Sequence, residues 1–122
     1  MKVLVVDDDV FKCIAIIRTL KSHGYDCDDA KTQENALELI EQNQYDFIVS
    51  DMQYPLTSQG DIVVNAGEIL AEKVNLPVII CSSQKYISEY AIGTIHYIED
   101  NDLWNDFKPL IDEIEAIQIT KE

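Results

Sequence analysis

Two short apolar runs in this chain each end in carboxylates. Lys2-Val3-Leu4-Val5-Val6 runs into Asp7-Asp8-Asp9, and Asp46-Phe47-Ile48-Val49-Ser50 runs into Asp51. Runs of Val, Ile and Leu without polar alternation belong to strands covered on both faces, as in a parallel sheet. In such sheets ligands bind in the crevice at the carboxyl ends of the strands. If the two strands are neighbours, three or four carboxylates meet there. Like charges that close repel and raise one another's pKa unless a cation sits among them. A cluster of oxygen ligands with high negative charge suits a hard divalent cation, Mg²⁺ before Zn²⁺. These runs therefore predict an α/β domain built around an acidic Mg²⁺ pocket.

The rest of the chain alternates in the same way. After the first strand, Lys2 to Val6, a helix is predicted from Val10 to Ser22. Cys13, Ile14, Ile17 and Leu20 form its apolar stripe, with Lys12, Arg18 and Lys21 mostly opposite. His23-Gly24 is its stop signal. Tyr25 to Asp28 reads as a second strand, and Thr32 caps a helix to about Gln42 with Ala36, Leu37 and Ile40 inward. Tyr45 to Ser50 is the third strand. A third helix is expected from Gly60-Asp61 to Val74, a fourth strand from Pro77 to Cys81, a weak helix from Lys85 to Ala91, and a fifth strand from Thr94 to Ile98. Leu103, Phe107, Leu110, Ile114 and Ile117 then fall at amphipathic spacing in a last helix that contains Lys108-Pro109. Strict alternation of five strands and five helices implies a parallel sheet with right-handed crossovers.

The chain has 122 residues, the size of a single domain over 1–122, and 47% hydrophobic residues, enough for a core without staples. A net charge of −14 argues against nucleic acid or anionic lipid as direct partners. No apolar run reaches the roughly 18 residues of a membrane span, and the start lacks the pattern of a signal peptide. Cys13, Cys27 and Cys81 are scattered and contain no CxxC pair, so a reduced, cytoplasmic setting is expected. His23 and His96 stand isolated, and no Ser/His/Asp or Cys/His arrangement emerges. Trp104, Tyr86 and Tyr90 are candidates for an exposed partner patch or for half-buried packing.

The segments VLVVDDD, YDFIVSDMQYP, LPVIICSS and HYIED, taken together, resemble the receiver domain of bacterial response regulators over Lys2 to about Ile117. The resemblance implies a (βα)5 flavodoxin-like, doubly wound five-stranded parallel sheet of order 2-1-3-4-5. It implies that Asp51 is the phosphoacceptor. Asp7 and Asp8 would hold Mg²⁺ with a carboxylate oxygen of Asp51 and the carbonyl of Gln53. Ser82 would contact the phosphoryl group, and Tyr97 would turn inward with it as a switch. Such a domain takes a phosphoryl group from a sensor histidine kinase or phosphotransfer protein. It is not an enzyme beyond catalysing its own aspartyl phosphorylation and dephosphorylation. Its readout face (helix 4, strand 5, helix 5) would meet a downstream protein, an output domain or a second copy. Asp9 reads as a helix-start charge.

One departure stands out. The family carries a Lys at the end of strand five, where this chain has Asp100; the nearest alternative, Lys108, reads as helical. A pseudo-receiver acting as a phosphorylation-independent interaction module is therefore a second reading. A hydrolase with an Asp nucleophile fits poorly, because Gln53 stands where its acid/base Asp is expected. Tyr54, before Pro55, replaces an apolar residue, often Met.

Overall fold

Strand β1 (Lys2–Val6) shows why the central strands carry no alternation: Val3 to Val6 are fully buried, and consecutive side chains enter two different cores. A computed structural model describes residues 1–121, with the backbone alone for 119–121. The remaining elements in order are α1 (Val10–Ser22), β2 (Asp26–Ala30), α2 (Gln33–Gln42), β3 (Phe47–Ser50), β4 (Tyr54–Pro55), β5 (Ile62–Val63), α3 (Ala66–Lys73), β6 (Val78–Ser82), β7 (Gly93–His96) and α4 (Leu103–Lys121). The main sheet has order β2-β1-β3-β6-β7, and all its pairs are parallel. With the small antiparallel β4–β5 hairpin set aside, this is the expected 2-1-3-4-5 order.

On one face, Val3, Val5, Val49, Ile79 and Cys81 pack with Ile16 and Leu20 of α1 and Phe107, Ile111 and Ile114 of α4. On the other, Leu4, Val6, Ile48 and Ile80 pack with Ala36 of α2 and Leu70 of α3. Asp9 caps α1 by accepting from the amides of Phe11 and Lys12, and Thr32 caps α2 by accepting from that of Asn35. Gly24, at φ 90°, ends the first helix as its stop signal requires.

Several expected elements differ. The boundaries of the second to fifth strands differ by one or two residues, as β2, β3, β6 and β7. No helix starts at Gly60. Tyr54-Pro55 pairs with Ile62-Val63 instead, and Ile62 is 57% exposed. The predicted helix over Lys85 to Ala91 is irregular chain, leaving four helices among the described residues. Its bonds come from far along the chain: Glu68 of α3 accepts from the Ser88 hydroxyl and from the amides of Glu89 and Tyr90. Burial opposes ionisation of Glu68, but these donors outweigh it and hold its carboxyl below the usual range.

His23 is not isolated, since its ring stacks on Trp104 with centroids 3.7 Å apart. Trp104 therefore lies with His23 and Tyr25, whereas Tyr86 bonds Gln53 beside the acidic cluster, so no joint aromatic patch forms. No described helix is long and apolar enough to cross a membrane.

Candidate functional site

Parallel pairing of β1 with β3, Val6 opposite Ser50, sets the two acidic strand ends side by side. The Asp51 amide donates to the Val6 carbonyl at 2.9 Å. Asp7 turns back so that its Oδ1 accepts from the Asp9 amide at 2.8 Å. Asp7, Asp8 and Asp51 thereby offer carboxylate oxygens within 4.8 Å of one another, as the sequence predicted. Asp8, Asp51, Gln53, Ser82, Gln84 and Tyr86 border an open cavity of about 210 Å³. Ser82 is buried at the end of β6, where its hydroxyl accepts weakly from the Gln84 amide. The Ser82 carbonyl accepts from the Tyr97 amide at 2.7 Å, which joins β6 to the half-buried Tyr97.

The unexpected member is Lys12. Instead of facing solvent with Arg18 and Lys21, it is 3% exposed on the buried stripe of α1 with Cys13, Ile16 and Leu20. Its Nζ lies 3.0 Å from Asp51 Oδ1, 3.1 Å from Asp7 Oδ2 and 3.1 Å from the Cys81 carbonyl. Only the Cys81 contact has hydrogen-bond geometry. Asp7 Oδ2 has no hydrogen-bond partner, so Lys12 acts on it as a nearby charge. The two positions considered for the missing lysine are elsewhere. Asp100 is exposed, in the left-handed region at φ 72°, and borders a surface groove with Phe11 and Arg18. Lys108 lies within α4, 59% exposed, paired with Asp112.

The electrostatics follow from burial. Desolvation pushes Asp7 up to about 7, against the pull of Lys12 and with help from Asp51. Desolvation likewise raises Asp8 above the usual carboxylate range. Burial alone would lower Lys12, but Asp7 and Asp51 outweigh it and hold the ammonium above the usual lysine value. Three carboxylates against one ammonium leave the cluster negative, with a buried carboxylate oxygen lacking a hydrogen-bond donor. An all-oxygen donor set in that state fits a divalent cation such as Mg²⁺.

This arrangement predicts a stability cost for the metal-free protein. The folded state prefers protonated Asp7, so that contribution is complete below pH 3.8 and is lost as pH rises towards about 7. The Asp7→Asn protein is expected to gain about 1–2 kcal/mol over the parent at pH 8, short of the roughly 4 kcal/mol that the full shift implies. The gain should vanish near pH 4. Urea titrations at both pH values without Mg²⁺ check this, and equal stability at pH 8 contradicts it.

Behind the cluster, Ser50 donates to the Asp51 carbonyl at 2.8 Å, and the fully buried Tyr54 hydroxyl lies 3.2 Å from Ser50 Oγ. Gln33 completes this support by donating to the Ala66 carbonyl at 2.9 Å. Gly67, in the first turn of α3, lets that backbone approach closely enough for its amide to donate to the Met52 carbonyl at 2.9 Å. The sequence reading missed Lys12 and Gly67. A spacing of four residues that puts Lys12 in one row with Ile16 and Leu20 was the available signal for the first.

Among protein families, the response regulator receiver domain matches residues 3–98. The transcriptional regulatory protein BasR of Escherichia coli is 28% identical over 93 residues, which is 76% of this chain. The chain spans 40% of that relative's length. Among solved structures, the response regulator TrrA of Thermotoga maritima, in complex with Mg²⁺ and BeF, has a TM-score of 0.73 at 20% identity, covering 93% of this chain and 97% of that one. The chemotaxis response regulator CheY4 of Vibrio cholerae has a TM-score of 0.71 at 19% identity, covering 89% and 97% respectively. At these identities the structural likenesses establish the fold alone.

Proposed function

Because the chain belongs to the response regulator receiver domain family, we propose that it accepts a phosphoryl group on Asp51 from a histidine kinase or phosphotransfer protein, with Mg²⁺, and signals through a partner-binding face. The observation that carries this is the meeting of Asp7, Asp8 and Asp51 at the edge of an open cavity, with Asp51 part-exposed and its Oδ1 held by the Met52 amide. Asp7, Asp8, Asp51 and the Gln53 carbonyl would hold Mg²⁺, whose charge would offset that of the transferring group. A Mg²⁺–BeF complex is known for TrrA, a protein of the same fold.

In the transfer, an Asp51 oxygen forms the new O–P bond as the P–N bond of a phosphohistidine breaks. The bonding pair leaves on the ring nitrogen, and the imidazole departs neutral with a proton on its other nitrogen. Ser82 would donate its hydroxyl to a phosphoryl oxygen. Movement there would reach Tyr97 through the bond between the Ser82 carbonyl and the Tyr97 amide. The readout face would be residues 83–92, β7 and α4. Apart from this self-directed chemistry the domain is a signalling module, and a cytoplasmic setting suits its free cysteines. The pseudo-receiver reading rested on the missing lysine, and an ammonium lies at the site all the same.

Incubation with acetyl phosphate, followed by intact-mass spectrometry, tests the reading. A gain of one phosphoryl group that requires Mg²⁺ and is absent in Asp51→Ala is expected. A folded, initially unphosphorylated protein that gains nothing would overturn it.

A further inference from the structure

We propose that Lys12, reaching into the site from α1, is the residue that supplies the phosphoryl group on Asp51 with its ammonium partner, in place of the lysine expected at the end of the fifth sheet strand. The inference rests on the phosphoacceptor reading of Asp51 and deepens it.

Position is the first ground. Lys12 Nζ lies 3.0 Å from Asp51 Oδ1, so a phosphoryl group joined to that carboxylate would be built beside it. Neither Asp100, exposed at φ 72°, nor Lys108, paired with Asp112, shares this place. The second ground is the state of the ammonium. It has three N–H donors and no acceptor, yet only the bond to the Cys81 carbonyl is well directed. Asp7 Oδ2 and Asp51 Oδ1 lie at ion-pair distance, 3.1 and 3.0 Å, and Asp7 Oδ2 takes no directed hydrogen bond. The remaining protons can therefore turn to a phosphoryl oxygen while the Cys81 bond persists.

The third ground is location in the core. Lys12 occupies a buried row of α1 continued by Ile16 and Leu20. Well-packed apolar residues commonly replace a buried ion pair without loss of stability. A lysine in this row is therefore better explained by the anionic groups it faces, Asp7, Asp51 and a phosphoryl group on Asp51, than by packing. During transfer it forms no covalent bond and keeps its protons, steadying the oxygens while the O–P bond forms and the bond to the leaving group breaks. The tether to Cys81, one residue before Ser82, ties the Lys12 ammonium to the end of β6 beside the second phosphoryl contact.

The test uses the full chain with acetyl phosphate and Mg²⁺. The initial rate of phosphoryl gain is expected to fall about 10²-fold or more in Lys12→Gln, the scale of losing one well-placed transition-state contact. Lys108→Gln should match the parent. A Lys12→Gln protein that is folded by circular dichroism and phosphorylated at the parent rate overturns the proposal. The side-chain NMR signal of Lys12 in the unsubstituted protein decides the matter if that variant does not fold. That signal should move when acetyl phosphate is added to the Mg²⁺-loaded protein, and a signal unmoved while the mass gain proceeds overturns the proposal. No mass gain in the unsubstituted protein overturns the phosphoacceptor reading and this one together, whereas gain with an indifferent Lys12 overturns this one alone.

Discussion

Lys12→Met is expected to destabilise the metal-free fold by about 3–5 kcal/mol, the usual cost of removing one partner from a buried charge pair. The ammonium sits 3% exposed between Asp7 and Asp51 and is the cation that offsets their repulsion. Methionine fills much of the same volume, so the loss would report charge rather than a cavity. Two further measurements separate these causes. Mg²⁺ should raise the thermal midpoint of Lys12→Met more than that of the parent, because the incoming cation meets a more negative cluster. The double variant Lys12→Met/Asp7→Asn should be more stable than Lys12→Met alone, since the most buried carboxylate has then lost its charge as well. A cost below about 1 kcal/mol in urea unfolding without Mg²⁺ would show that Lys12 is not the compensating charge.

Gly67→Ala is expected to cost about 3 kcal/mol and to disturb Asp51 from behind. A Cβ at Gly67 would stand 2.3 Å from the Asp51 carbonyl oxygen, 2.9 Å from Ile80 Cδ1 and 3.1 Å from Met52 Cα. Two of these neighbours are backbone, and the Asp51 amide is already tied to Val6, so the strain cannot be relieved by turning one side chain. Either α3 withdraws and loses the Gly67–Met52 bond, or the end of β3 shifts and carries the Asp51 carboxylate away from Asp7 and Asp8. Urea unfolding measures the first effect and the rate of phosphoryl gain the second. A variant with parent values for both would contradict this role for close backbone approach.

The carboxylates were legible because their positions follow from local pattern: apolar runs mark strands, and a parallel sheet aligns the ends of those strands. The caps at Asp9 and Thr32 were legible for the same reason, since a cap acts on amides two or three residues away. Lys12 was not. Helical periodicity assigns charged residues to solvent, and its burial is made tolerable by Asp7 nearby together with Asp51 and the Cys81 carbonyl, which come from distant stretches of chain. The chain over 83–92 failed similarly, because Glu68, some twenty residues earlier, supplies the acceptors that hold it without a helix. The stretch 60–65 was expected to open the third helix, but pairing of Tyr54-Pro55 with Ile62-Val63 prevailed over it. Gly67 showed no sequence signal beyond its identity, since its reason is a contact across the fold.

With its cation on α1, the site has an evolutionary property that a strand-end lysine would deny it. Asp7, Asp8 and Lys12 lie within six consecutive residues, and no charged member of the cluster comes from β7 or α4. Substitutions from Gly93 onward can remodel the surface that partners would recognise without moving a charge in the pocket. On the proposed function, recognition and chemistry would be separately mutable, so that lineages carrying this chain could exchange partners by drift along β7 and α4 while Asp51 keeps its surroundings.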